Sequence, residues 1–130
     1  MSQNILFDTH TFIWWADEPA KLSSNALAAL EDEDNVLYLS DVSIWEIQIK
    51  SQLGKLELKI PLDELIKRQQ TDNNIENLHI RTEHIFRLTS FPFHHKDPFD
   101  RLLLSQALCQ DLELASSDIA FDAYGIDRLW

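Results

Sequence analysis

Glycine, proline and cysteine are scarce in this chain of 130 residues, which has two glycines, four prolines and one cysteine. No Pro-rich, Ser/Gly-rich or low-complexity stretch marks a linker, so we expect a single domain over residues 1–130. The lone cysteine, Cys109, excludes an internal disulfide framework and favours a reducing compartment.

Long apolar runs are absent from the sequence as well. No stretch of about 18 apolar residues is available to form a membrane helix. The N-terminal Met-Ser-Gln-Asn lacks the basic region and the apolar run of a signal peptide. We therefore expect a cytoplasmic protein that does not associate with membranes.

Basic residues are few relative to acidic ones. Lysine and arginine total 11 against 22 aspartates and glutamates, which gives a formal net charge of −11. This charge has the wrong sign for holding nucleic acid by neutralising phosphates alone. A nucleic-acid substrate would therefore require bound cations or a local basic patch.

Short apolar runs alternate with helical patterns along the chain. The predicted strands are residues 4–7, 36–39, 75–80, 113–115 and 128–130. The predicted helices follow Asp8 and Pro61 and cover residues 23–30, 43–54, 82–88 and 98–108, the last with Asp97 as its N-cap. This alternation predicts an α/β fold with a mainly parallel central sheet and helices on both faces.

Four acidic residues stand at the ends or starts of these elements. Asp8 and Asp118 follow two strands, Glu46 lies early in the helix after the second strand, and Asp100 lies in the first turn of the helix at Pro98. In a parallel sheet the ends of strands and the starts of helices share one edge, where ligands bind. We therefore expect the four carboxylates to converge there.

Such a cluster requires a cation. Two carboxylates about 4 Å apart repel by roughly 4 kcal/mol at an effective dielectric near 20. Oxygen ligands suit Mg²⁺, for which Mn²⁺ can substitute, whereas the lone cysteine and scattered histidines offer no convincing zinc set. A hard cation of this kind can activate a water for attack on phosphorus, and it supplies the positive charge that the protein lacks.

Each acid also has a purely structural explanation when it is taken by itself. The alternatives are a turn aspartate at Asp8, a helix ion pair between Glu46 and Lys50, helix capping by Asp97 and Asp100, and capping of a short helix by Asp118. Their joint placement at one edge of the sheet favours the functional interpretation.

Several motifs together resemble the VapC-family PIN-domain toxins over essentially the whole chain. They are Phe7-Asp-Thr-His10 with Trp14-Trp15, Val42-Ser-Ile-Trp-Glu-Ile47 with Lys50, Gly54-Lys-Leu-Glu-Leu58, the segment 94–103, and Ser117-Asp118 through to Trp130. Asp-Pro-Phe-Asp-Arg at residues 97–101, followed by an apolar helix, is the most specific of them.

This resemblance implies a PIN-like α/β/α fold and Mg²⁺- or Mn²⁺-dependent endoribonuclease activity that arrests growth. It also implies neutralisation by a cognate antitoxin of a type II toxin-antitoxin pair, and it supports a homodimer. The four acids of the family fall on Asp8, Glu46, Asp100 and Asp118, which leaves Asp97 as a helix cap.

Further residues are weaker candidates for contact with RNA or for orienting the acids. They are Thr9, His10, Asp97, Arg101 and Ser117, with the basic loop His94-His95-Lys96 and a surface or supporting acid at Asp122. Ser117 stands where many family members have threonine. Exposed aromatic residues among Phe12, Trp14, Trp15 and Trp45 would favour an antitoxin or homodimer surface, whereas core packing is the simpler interpretation.

Two other functions compete with the ribonuclease. Asp8 could be the nucleophile of a phosphohydrolase, although no apolar strand leads into the lysine that usually accompanies such an aspartate. The acids could alternatively stabilise a binding module that has no catalytic activity.

Overall fold

The computed structural model describes residues 2–130. Within them, five strands form one sheet, and every neighbouring pair is parallel. The strands are β1 Asn4–Phe7, β2 Val36–Ser40, β3 Glu76–Leu78, β4 Glu113–Ala115 and β5 Arg128–Leu129. They lie in the order β3-β2-β1-β4-β5, so the predicted mainly parallel sheet is confirmed.

Helices connect successive strands, as the alternating pattern predicted. The α-helices are α1 Thr9–Asp17, α2 Ser24–Glu31, α3 Asp41–Gln52, α4 Leu62–Asn73, α5 Thr82–Arg87 and α6 Pro98–Gln110. Short 3₁₀ helices cover Pro19–Lys21, Leu88–Ser90 and Ile119–Tyr124. From residue 2 to the end of the chain, no helix is both long and apolar enough to cross a membrane.

The two faces of the sheet bury different side chains, because successive residues of a strand point in opposite directions. In β1, Ile5 and Phe7 belong to a core layer that includes residues of α1, α2 and α4. Leu6 belongs to a second layer that includes Leu103 and Leu104 of α6. All five of these side chains are fully buried, and helices on both faces confirm the predicted α/β/α arrangement.

β1 is the central strand, and the strand order reverses between β1 and β4: the chain places β2 and β3 on one side of β1 and β4 and β5 on the other. Their carboxyl ends are joined beyond the ladder by a hydrogen bond in which the Asp8 N–H donates to the Ala115 carbonyl at 3.0 Å. A reversal of strand order leaves a crevice beyond the strand ends, because the chain leaves the two strands on opposite sides. Asp8 therefore lies at the edge where a doubly wound sheet binds its ligand.

Arg101 of α6 fixes the loop that precedes this helix. It is 7% exposed, and its guanidinium donates hydrogen bonds of 3.0–3.2 Å to four backbone carbonyls. The acceptors are the carbonyls of Leu88, Phe91, Pro92 and His95. The Phe93 ring covers the guanidinium at 4.1 Å. A single side chain thus sets the course of the segment 88–95.

We expect Arg101→Met to destabilise the protein by about 2–4 kcal/mol, because it leaves buried carbonyls without donors. The matched control is Arg68→Met, which removes an exposed arginine paired with Glu64 at 2.8 Å and is expected to cost less than about 1 kcal/mol. Urea unfolding followed by circular dichroism measures both changes. Equal losses for the two variants would contradict the role given to Arg101.

Candidate metal centre

Asp8 lies directly after β1 and is the N-cap of α1. Its Oδ1 accepts a hydrogen bond from the Thr11 N–H at 2.8 Å, and the residue is only 7% exposed. Burial raises the pKa of Asp8, while hydrogen bonds from Ser116 and Thr11 oppose the rise. The capping role and the position at the crevice coexist in this residue, because one carboxylate oxygen is enough to cap the helix.

Glu46 projects from α3 and is almost completely buried, with 5% of its surface exposed. Its Oε2 lies 2.9 Å from the Lys50 Nζ, which is the ion pair that the i,i+4 spacing predicted. Its Oε1 is buried and has no hydrogen-bond partner within residues 2–130. Leaving a carboxylate oxygen dry and unpaired is costly, so this atom is available for a ligand.

The surroundings of Asp100 raise its pKa strongly. Burial is the largest cause that raises the pKa of Asp100 to about 7; the charges of Asp97, Asp8 and Glu46 add to the rise, and the charge of His95 opposes it. Asp8 and Glu46 are therefore close enough for their charges to act on the Asp100 carboxyl. The structure brings these three predicted acids together.

Asp118 is linked to Asp100 through the side chain of His95. Its Oδ1 accepts from the Ala120 N–H at 2.9 Å and caps the 3₁₀ helix Ile119–Tyr124, as the structural alternative predicted. Its Oδ2 lies 2.8 Å from the His95 Nε2, which lies 3.0 Å from the Asp100 Oδ2. Asp118 is more exposed than the other acids and forms the outer side of the cluster.

The weaker candidates have varied environments. Asp97 caps α6 by accepting from the Asp100 N–H at 3.1 Å, as predicted. The buried Thr9 hydroxyl donates to the Ser43 Oγ at 3.0 Å. His10 and Ser117 are exposed at the surface.

Two charged candidates, Arg101 and Asp122, contact groups other than the four acids. Arg101, suggested as a contact for RNA phosphate, is buried and occupied by backbone carbonyls, so it faces the loop and not the solvent. Asp122 forms a surface ion pair with Arg128 at 2.8 Å, and the hydrogen bond from Arg128 lowers the pKa of Asp122.

Sequence reasoning missed His95, which it grouped with the exposed loop His94-His95-Lys96. His95 is largely buried, whereas His94 and Lys96 are exposed. The spacing of His95 ahead of the Asp97-Pro98 helix start was the only available signal. Without the course of the loop, this spacing does not distinguish His95 from His94.

The aromatic residues near the N-terminal acids divide between core and surface. Phe12 is fully buried, as the core interpretation predicted, and Trp14 and Trp15 are partly buried. Trp45 is 57% exposed and packs edge to face on Phe99 with the ring centroids 5.2 Å apart. Of the four aromatic residues considered from the sequence, Trp45 is the most exposed, and exposure is the condition that favoured an antitoxin or homodimer surface.

The donors in the cluster suit a hard divalent cation. Asp8, Glu46, Asp100 and Asp118 offer carboxylate oxygens, which Mg²⁺ and Mn²⁺ prefer. The buried Glu46 Oε1 has no hydrogen-bond partner within residues 2–130, and burial together with the neighbouring acids disfavours the charged form of Asp100; a bound cation would relieve both. The residues present therefore fit the metal that the sequence predicted.

Comparison with known proteins gives the same family as the motifs. The PIN domain family model matches residues 5–127. Ribonuclease VapC22 of Mycobacterium tuberculosis (strain ATCC 25618 / H37Rv) is 28% identical over 115 residues, which cover 88% of this chain and 86% of that protein.

Solved structures of similar fold include two VapBC structures. VapBC2 from Rickettsia felis, bound to a DNA fragment from its promoter, superposes with a TM-score of 0.72 at 14% identity, covering 98% of this chain and 100% of that one. VapBC-1 from nontypeable Haemophilus influenzae superposes with a TM-score of 0.63 at 14% identity, covering 97% and 96% of the two chains. The resemblance identified from the motifs is confirmed: the chain belongs to the PIN domain family.

Proposed function

We propose that this protein is a Mg²⁺-dependent endoribonuclease and the toxin of a type II toxin-antitoxin pair. The observation that carries the proposal is the convergence of Asp8, Glu46 and Asp100 where the strand order reverses, with the buried Glu46 Oε1 unpaired. The name of the similar Ribonuclease VapC22 supports RNA as the substrate class.

Asp8, Glu46, Asp100 and Asp118 would hold the cation, and Mn²⁺ would substitute for Mg²⁺. A bound Mg²⁺ supplies the Lewis acid that activates water for attack on phosphorus and neutralises charge on the leaving oxygen. Hydrolysis forms a bond between the water oxygen and phosphorus and breaks the bond from phosphorus to a ribose oxygen. The water's proton passes to one of the carboxylates, and the ribose oxygen acquires a proton.

The protein's own contribution is to hold its acids in place before RNA arrives. Asp8 is fixed by the Thr11 N–H and Glu46 by Lys50, so neither carboxylate must be reorganised on binding. The overall charge of −11 repels the RNA backbone, which makes the proposed activity depend on cations for binding as well as for chemistry.

The Asp-nucleophile phosphohydrolase is the weaker alternative. Lys50, the lysine that contacts an acid of the cluster, is paired with Glu46 and not with Asp8. A phosphoenzyme trapped on Asp8 would revive this alternative.

In the binding-module alternative, replacing the acids by asparagine would remove the metal and the fold together.

We expect Asp8→Asn to lower Mg²⁺-dependent cleavage of RNA by at least about 100-fold, because it removes an anionic ligand from the centre of the cluster. The control is Asp34→Asn, which makes the same change of charge in the exposed turn before β2, at the opposite edge of the sheet. Purified proteins are assayed on RNA with Mg²⁺ and with EDTA.

Growth after induction of the same variants tests the toxin role. Arrest with discrete RNA cleavage is expected for the wild type and for Asp34→Asn, but not for Asp8→Asn. Equal cleavage by Asp8→Asn and the wild type would indicate a contaminating nuclease and would contradict the proposal.

The metal-free protein should lose stability as the pH rises from about 4 to about 7. In this range a folded Asp100 keeps its proton while an unfolded one has lost it, since the pKa of Asp100 is raised from 3.8 to about 7. The folded state then binds more protons than the unfolded state, so the free energy of unfolding falls with increasing pH. Asp100 contributes up to about 4 kcal/mol to this fall.

The neutral Asp100→Asn variant should flatten this pH dependence and be more stable than the wild type near pH 7 in EDTA. Urea unfolding across the pH range measures the difference, with Asp34→Asn as the control that keeps the wild-type slope. Parallel curves for the wild type and Asp100→Asn would show that the acids do not share an environment.

We further propose a cognate antitoxin as the partner, together with a homodimer of the chain. Two of the solved structures of similar fold are VapBC2 and VapBC-1, and the exposed Trp45, which packs on Phe99, directly precedes Glu46 in the sequence. Exposed aromatic area of this kind favours association, because burying it releases water from apolar surface.

With the antitoxin purified from cells that make this protein, Trp45→Ala should require at least about tenfold more antitoxin for half-inhibition of RNA cleavage. The control Leu53→Ala changes another exposed apolar residue of the segment after α3. If Trp45→Ala were inhibited as readily as the wild type, the Trp45–Phe99 pair would not be the antitoxin surface.

A further inference from the structure

Within residues 2–130, His95 is the one side chain that pairs with two of the four acids. Its Nε2 lies 2.8 Å from the Asp118 Oδ2 and 3.0 Å from the Asp100 Oδ2. These three atoms all lie within 4.8 Å of one another. His95 thus links an acid of α6 to an acid that follows β4.

The imidazole is held from several sides. Its Nδ1 accepts from the Asp97 N–H at 3.3 Å, and its ring packs on Phe121 with the centroids 5.2 Å apart. The His95 backbone N–H donates to the Tyr124 hydroxyl at 2.8 Å, and its carbonyl accepts from Arg101 at 3.2 Å. The position of Nε2 is therefore set by the loop and not by the acids.

These contacts also determine which nitrogen carries the proton. Because Nδ1 accepts a hydrogen bond from a backbone amide, the neutral ring carries its proton on Nε2. An Nε2–H group donates to carboxylates and cannot ligate a metal. His95 is therefore a donor to the acids and not a ligand of the cation.

The hydrogen bond of the His95 Nε2 goes to Asp118, whereas the Asp100 Oδ2 lies 3.0 Å from the same nitrogen. Its side chain is 41% exposed, and its Oδ1 is engaged by the Ala120 N–H. Within residues 2–130, the Asp118 Oδ2 has His95 as its hydrogen-bond partner. Without His95 this oxygen would be free to turn toward water.

We infer that His95 is a positioning residue of the metal centre, whose Nε2–H holds the Asp118 carboxylate beside Asp100 so that one divalent cation can contact both. The inference rests on the proposed metal-dependent function. Donors behind the ligands of a metal commonly change its affinity by about 10–100-fold, because they fix ligands that would otherwise lose conformational freedom on binding.

The test is the affinity for Mn²⁺, measured by calorimetry on full-length variants. His95→Leu should weaken Mn²⁺ binding about tenfold or more. His95→Gln, whose amide can still donate, should recover most of this loss. His94→Leu makes the same change at the exposed neighbouring residue and should bind Mn²⁺ as the wild type does.

A double-mutant cycle identifies the acid through which His95 acts. In an Asp118→Asn background, His95→Leu should weaken Mn²⁺ binding no further, because the carboxylate that it holds is already gone. Additive losses, unchanged affinity in His95→Leu, or tighter binding in that variant would each overturn the inference. Tighter binding would mean that His95 competes with the cation.

RNA cleavage by the same preparations separates this inference from the proposed function. A wild type that binds Mn²⁺ but does not cleave RNA would contradict the nuclease proposal, and the ratio of affinities would still decide the role of His95. A wild type that does not bind millimolar Mn²⁺ but cleaves RNA in EDTA would overturn the inference and leave a nuclease that works without metal. Thermal unfolding establishes that each variant is folded, and His95→Phe, which keeps a ring against Phe121 but has no donor, replaces His95→Leu if that variant does not fold.

Discussion

Mutual repulsion among buried carboxylates is the constraint on which the rest of the site depends. Asp8 and Glu46 are more than nine-tenths buried, and their charges add to the burial and the Asp97 charge that together raise the pKa of Asp100 to about 7. A core of this size would be more stable with neutral side chains at these positions. The acids are therefore a cost to folding that the proposed cation would remove, and its binding would couple to stability through the same few residues.

The surrounding structure reduces this cost without removing it. Lys50 neutralises one oxygen of Glu46, and the start of α1 stabilises Asp8 through the Thr11 N–H. Neither group satisfies the Glu46 Oε1, and the His95 Nε2 hydrogen bonds to Asp118 while it lies 3.0 Å from the Asp100 Oδ2. This partial neutralisation leaves unpaired oxygens to which the proposed cation could bind.

The sequence predicted those parts of the site that depend on local rules. Asp8 and Asp118 could be placed because an apolar strand runs directly into each of them, and a parallel sheet brings such strand ends to one edge. Asp97 could be predicted as the cap of α6 because it directly precedes Pro98, whereas the choice of Asp100 as the third acid came from the resemblance to the family. The strand order β3-β2-β1-β4-β5 was not predicted, since the sequence pattern does not specify which strands pair. The identities of the metal ligands remain predictions.

Residues in irregular segments could not be predicted in this way. The positions of His95 and Arg101 depend on the course of the segment 88–97, which contains no repeating pattern and is set by four carbonyls converging on one guanidinium. An arginine next to an acid suggests contact with phosphate, but burial gives Arg101 the opposite task of holding the backbone. Arg101 then fixes the His95 carbonyl, and His95 contacts Asp100 and Asp118. The acidic centre and its supporting loop are thus connected through the residue adjacent to the third acid, which explains why the aspartate and arginine at 100–101 belong to one motif.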